Sequence, residues 1–126
     1  MTARLCIAIA SILGGLSVAG GAFGAHALKA QLTEKALGTF EIGTRYQMYH
    51  SLALLLVGLL WLQIPDNRWF SYASWAFILG IVIFSGSLYG LSLSGIKVLG
   101  AVAPIGGLAL IIGWALLATA AFSLTN

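Results

Sequence analysis

The run VLGAVAPIGGLALIIGWALLATAAF, Val98–Phe122, decides the fold: it holds 25 residues and not one Lys, Arg, Asp or Glu. An α-helix rises about 1.5 Å per residue, so about 20 apolar residues cover the ~30 Å hydrocarbon layer of a bilayer. Working outward, three more runs share this character. Trp69–Leu93 has 25 residues, Tyr46–Ile64 has 19 and Leu5–Ala25 has 21; the four runs take in 90 of the 126 residues. The whole chain is 60% hydrophobic and 7% charged, with a mean hydropathy of +1.03. Soluble domains carry about 25% charged residues. This chain has too little polar surface to coat a globule of its size in water. A soluble enzyme, a DNA-binding domain and a disordered tail are excluded. The expected fold is an all-α integral membrane protein, one domain over residues 1–126. It is a four-transmembrane-helix bundle with spans near 5–25, 46–64, 69–93 and 98–122.

The charged residues mark the ends of these spans. The net charge is +3 and the isoelectric point about 9.4. The cations Arg4, Lys29, Lys35, Arg45, Arg68 and Lys97 are dispersed, as topology signals and headgroup contacts are. Membrane lipids are therefore the expected partners, and nucleic acid is not. Arg4, the first apolar run and Ala25-His26-Ala27 together resemble a cleaved signal peptide. The run is longer than a signal core of about 7–15 residues, so it reads as a span. Cys6 is the lone cysteine, which excludes an intrachain disulfide. Pro65-Asp66-Asn67-Arg68 and Ser94-Gly95-Ile96-Lys97 are tight turns that join antiparallel neighbours. Between the first two spans, Leu28–Arg45 holds Lys29, Glu34, Lys35, Glu41 and Arg45. Thr33 suits a helix N-cap there, and Leu37 and Phe40 can dip into the interface. Gly43 interrupts, and Thr44-Arg45-Tyr46-Gln47 fits a capping box. The expectation is a short interfacial helix, a bend at Gly43, then the second span. Cations on loops one and three outnumber those on the other side. The positive-inside rule then places both termini on the outer face.

Lipid is as apolar as leucine, so close backbone approach and interhelical hydrogen bonds must hold the helices together. The chain has 16 glycines. On the first span Ser11, Gly14, Gly15, Val18, Ala22 and Ala25 fall in one stripe about 120° wide. Gly20 and Gly24 form a GxxxG on its flank. Gly86 and Gly90 form another beside Ser85, Tyr89 and Ser92. Gly106, Gly107 and Gly113 leave room for neighbours on the last span. Pro104 removes a backbone donor and presses on the Gly100 carbonyl, so a kink or opening is expected there. Trp61, Trp69 and Tyr72 bracket one interface, while Trp75 and Trp114 read as core.

Ionisable groups inside membrane segments are the default functional candidates. His26 projects onto the small-residue stripe and His50 lies five residues into the second span. Both are expected at similar shallow depth, near Glu41, Arg45, Tyr46, Gln47 and Tyr49. Hydrogen-bonded glue between helices is the plain reading of these groups; a proton relay or polar-solute site is the sharper one. A haem or metal site is weaker, because two histidines without a nearby cysteine fall short of a ligand set. No serine–histidine–acid set or phosphate loop is present. The expectation is a protein that is not an enzyme and needs no metal or cofactor.

Four ordered segments resemble one known pattern: Gly20-Gly21-Ala22-Phe23-Gly24-Ala25-His26-Ala27-Leu28, Arg45-Tyr46-Gln47-Met48-Tyr49-His50, Phe84-Ser85-Gly86-Ser87-Leu88-Tyr89, and Pro104-Ile105-Gly106-Gly107 with Gly113-Trp114. The chain is similar to small bacterial inner-membrane proteins catalogued only as a domain of unknown function, with relatives among eukaryotic transmembrane proteins. The resemblance covers nearly the whole chain. It implies a four-span membrane protein and marks His26, Arg45, Tyr46, Gln47 and His50 as motif positions. It supplies no activity. Two functions follow as expectations: a non-enzymatic homo-oligomer or accessory subunit of a membrane complex, or a small permease with Pro104 as hinge.

Overall fold

The computed structural model describes residues 1–124. Among them the chain forms four α-helices and no strand. α1, Ala3–Phe23, starts at Thr2, whose hydroxyl accepts the Leu5 N–H, and continues into a π-helical turn, Gly24–Leu28. α2, Glu34–Gln63, starts at Thr33, whose hydroxyl accepts the Ala36 N–H. Glu34 then sits in the first turn, where the helix dipole favours an anion. α3, Arg68–Ser94, is capped by Asn67 and ends at Gly95, where φ is +73°. That left-handed conformation costs a residue without Cβ nothing, and the Gly95 N–H closes on the Leu91 carbonyl. α4 is Val98–Phe122. The Asn67 carboxamide also donates to the Ala120 carbonyl at 3.3 Å and to Ser123 Oγ at 2.9 Å, tying the second turn to the end of α4.

Three helices are long and apolar enough to cross a membrane: Ala3–Leu28, Arg68–Ser94 and Val98–Phe122. α2 is the longest at 30 residues, but polar side chains dilute its first half. The separate interfacial helix and the bend at Gly43 do not form. The chain runs as one helix through Gly43, and Thr44 sits mid-helix with its hydroxyl on the Glu41 carbonyl at 2.9 Å. Glycine costs a helix only about 1 kcal/mol, which packing overrides here. A Cβ at Gly43 would stand 2.7 Å from the Tyr89 ring, so the glycine serves contact and not bending. α4 likewise continues through Pro104 without the expected opening.

α2 and α3 form the middle of the bundle, with α1 packed on α2 and α4 on α3. Cys6, Leu54, Val57, Phe70, Ala73 and Phe77 make the driest part of the core. The tightest seam is α3 on α4. A Cβ at Gly106 would overlap the Phe84 backbone nitrogen, one at Gly80 would lie 2.9 Å from the Leu110 nitrogen, and one at Gly113 would lie 2.6 Å from the Phe77 ring. Across α1 and α2 the close approach is at Gly58, against Ile7. Of the glycines expected to pack, Gly106 does so against backbone, while Gly20, Gly24 and Gly90 meet side chains of Thr44, Phe40 and Leu99. Gly107 makes ordinary contact with Phe84. Gly15 and Gly86 face open space, so the packing role expected for them is not found within the chain. Most of the expected small-residue stripe of α1 faces away from the bundle. The buried row is Cys6, Ala10, Ser17 and Gly24; Ser11, Gly15, Val18, Ala22 and Ala25 face outward, and Gly14 alone of the six turns toward α2, at Ser51. Trp75 stands on the outer surface and not in the core, and Trp114 too is half-exposed, with its indole N–H turned in to His50.

The helices are in register. The Gly43 carbonyl meets Ser85, the Leu54 carbonyl meets Cys6 beside Ser74, and Gly80 meets Leu110. The helix midpoints, near Leu16, Met48, Ile81 and Leu110, therefore share one level.

Candidate functional site

At that middle level α2 turns a polar row inward: Thr44, Gln47, His50 and Ser51 are buried. Spacings of three and four residues place them on one helical face. Each is answered. Ser17 Oγ on α1 donates to the Thr44 carbonyl at 2.6 Å. Gln47 Nε2 donates to the Leu13 carbonyl at 2.8 Å, and its Oε1 accepts the Tyr89 hydroxyl at 2.6 Å. Gln47 thus bridges α1 and α3. Ser85 Oγ donates to the Gly43 carbonyl at 2.7 Å, and Ser51 Oγ to the Gln47 carbonyl at 2.6 Å. Among the described residues no buried side-chain nitrogen or oxygen lacks a partner.

His50 reaches the other way, toward α4. Trp114 Nε1–H donates to His50 Nε2 at 3.0 Å, and His50 Nδ1 lies 2.7 Å from the Tyr46 carbonyl. Indole can only donate and a carbonyl can only accept. The ring is therefore neutral, with its proton on Nδ1 and its Nε2 lone pair occupied. Protonating Nε2 would set two N–H groups head to head. Phe77 lies against the same ring, 5.8 Å between centroids.

These contacts floor two outward-opening grooves. One, about 810 Å³, runs between α2 and α4 past Tyr46, Tyr49, His50, Phe84, Pro104 and Trp114. The other, about 340 Å³, runs between α1 and α3 with Gln47, Phe40 and Tyr89 at its base. Both are mainly apolar. Pro104 is a wall of the first.

The seven polar residues singled out in the sequence are not one cluster. Tyr46, Gln47, Tyr49 and His50 are neighbours on α2, with Gln47 and His50 inward and the two tyrosines half-exposed along the groove. His26 is exposed in the π-turn. Gly24 packs on Phe40, and His26 lies two residues beyond it, twelve residues' rise or about 18 Å from His50 along the bundle. The shared shallow site expected for the two histidines does not exist, and His50 is near mid-height. Glu41 and Arg45 lie on the outer face of α2. Sequence reasoning passed over Tyr89 as the partner of Gln47, though Ser85, Tyr89 and Ser92 stood out as a polar face. Nothing in the sequence pointed to Trp114 as the partner of His50. Among the described residues no three His, Cys, Asp or Glu side chains converge on a possible metal position.

The outer surface is oily along its whole height; Ile111, mid-helix in α4, is 66% exposed. Long apolar helices closed by internal hydrogen bonds, with bare aliphatic faces outside, define a small helical membrane protein. The chain belongs to the family described as protein of unknown function (DUF423), whose model matches residues 20–107. It is 42% identical to the UPF0382 membrane protein SH2409 of Staphylococcus haemolyticus, over 94% of this chain and 96% of the relative. It is 41% identical to the UPF0382 membrane protein YwdK of Bacillus subtilis, over 94% of this chain and 96% of the relative. It is 40% identical to the UPF0382 inner membrane protein YgdD of Escherichia coli K12, over 98% of this chain and 94% of the relative. No solved structure matches.

Proposed function

We propose that this chain is a four-span protein of the bacterial inner membrane that acts through helix contacts with other membrane proteins or its own copies. It carries out no enzymatic chemistry and passes no solute. α2 is the fourth span; polar residues lower its hydropathy, but the uncharged row Thr44, Gln47, His50 and Ser51 points into the bundle and meets partners there. Loops one and three, with Lys29, Lys97 and the Lys35 of α2's first turn beside them, lie in the cytoplasm, and both termini lie outside.

The observation that carries this reading is the closed polar row. A conduction path or proton relay needs groups with free valences along a wet route. Here Gln47, Tyr89, Ser85 and Thr44 satisfy one another or a helix carbonyl, and His50 is held in its neutral form by Trp114. Such a row binds helices together and offers a passing ion nothing.

Proteoliposomes carrying the purified chain are expected to leak protons, sodium and small polar solutes no faster than empty vesicles. A His50→Ala variant is expected to behave as the wild type does. Flux above the empty-vesicle rate that is lost in His50→Ala would overturn the proposal in favour of a permease.

A further inference from the structure

The outer face of α2 carries a seam. Ile42, Arg45, Tyr49, Leu52, Leu56 and Leu59 follow one another at alternating intervals of three and four residues, and all are exposed. That alternation is the a/d pattern of helices that pack side by side, knob into hole. Glu41 flanks the seam one turn before Arg45. If α2 crosses the membrane, Arg45 lies about 5 Å and Glu41 about 11 Å from the bundle's mid-height. Both are then inside a hydrocarbon half-layer about 15 Å deep. Among the described residues no ion pair answers either charge. Charges at such depth pair with one another or face a protein interior, so this face needs a cover that brings the opposite charges.

We infer that the cover is a second copy of this chain, docked α2 to α2 about a two-fold axis along the membrane normal. The inference rests on reading α2 as a membrane-crossing helix in a protein that works by helix contacts. Two copies inserted the same way bring their α2 helices together in parallel. A two-fold interface must be self-complementary, and this seam is. Side chains on a helix lean toward its N-terminus, so each Arg45 leans toward the level of the partner's Glu41, and the exchange is reciprocal. The four charges sum to zero. Below them, the leucines at 52, 56 and 59 interlock.

Two experiments on the full chain in native membranes test this. Leu52→Cys and Leu56→Cys, oxidised with copper phenanthroline, are expected to give a covalent dimer. Ile111→Cys on α4 and Val18→Cys on α1 are not. The charges are tested with two tags. Glu41→Arg and Arg45→Glu chains, each expressed alone, are expected to lose self-capture at least tenfold. Co-expressed, they are expected to capture each other at the wild-type level, since one brings two cations and the other two anions. A Glu41–Arg45 pair closed within one chain would give no such rescue, and that result overturns the inference. Should the charge variants fail to insert, the cysteine series on wild-type charges decides. Cross-links confined to Ile111 or Val18 overturn the α2 seam and leave the contact-protein reading standing. No cross-link and no capture at any face overturns both.

Discussion

Gly106→Ala is expected to give the largest loss of stability of any single methyl added to this protein. The new Cβ would meet the backbone nitrogen of Phe84 and the carbonyl carbon of Ile83. A crowded side chain can change rotamer, but a crowded backbone moves only if the helix moves. α3 and α4 would have to separate along the seam that Gly80, Gly106 and Gly113 make close. Overpacking of a well-filled core costs about 1–3 kcal/mol, and a backbone clash belongs at or above the top of that range. In a bilayer the loss is not offset by hydrophobic burial, since lipid takes the place of the departing helix. Gly86→Ala is the matched control: its Cβ would meet nothing within 4 Å, so a change of about 0.5 kcal/mol or less is expected. Steric-trap unfolding of both variants in bicelles measures the difference.

Gln47→Leu is expected to have the next largest effect. The side chain is nearly isosteric, so the cost is polar. Gln47 joins α1 to α3 through α2, donating to Leu13 and accepting from Tyr89. Leucine strands the Tyr89 hydroxyl against an apolar wall and removes the extra donor from the Leu13 carbonyl. A stranded buried polar group costs about 1–3 kcal/mol. Interhelical hydrogen bonds in membranes average nearer ~0.6 kcal/mol, because the separated helices find other partners. An overall loss of about 1–2 kcal/mol is expected. Tyr89→Phe on the Gln47→Leu background is then expected to cost almost nothing more, so the two losses do not add. Full additivity in the double-mutant cycle would mean that the 2.6 Å contact carries no energy.

The helix ends were legible because charge and turn chemistry mark them. The run Val98–Phe122 was readable from its lack of charge, and α4 covers those same residues. Thr33 capped a helix as its side chain allowed, and Gly95 took the left-handed turn that ends α3. The start of α2 differs from expectation because polarity and position are confounded in a membrane chain. Lys35, Glu41, Arg45 and the Thr44–Gln47 capping pattern read as a connection ahead of a span at 46–64, yet one helix runs from Glu34 onward. Thr44 and Gln47 join His50 and Ser51 in its inward row, while Glu41 and Arg45 ride its outer face. The outward turn of most of the α1 stripe has a similar cause. α1 carries small residues on nearly every side, and smallness does not say which side meets α2.

His26 goes with its stripe. It projects beside Val18, Ala22 and Ala25, and that side of α1 faces out, while Ser17, Gly24 and Leu28 continue the buried row through the π-helical turn. The pairing of His50 with Trp114 was out of reach for another reason. It depends on how α4 sits across α2, and an indole at that depth reads as core whatever it touches.

The bundle requires that α2 pass through the bilayer with its polar row turned inward. Single cysteines at Ala30→Cys and Asp66→Cys, probed with a membrane-impermeant maleimide on intact and opened cells, test this most directly; native Cys6 is fully buried. The expected result is opposite sidedness, with Asp66→Cys labelled from outside and Ala30→Cys only after the cells are opened. Labelling of both positions from the same side would mean that α2 lies along one face of the membrane, and would contradict the account.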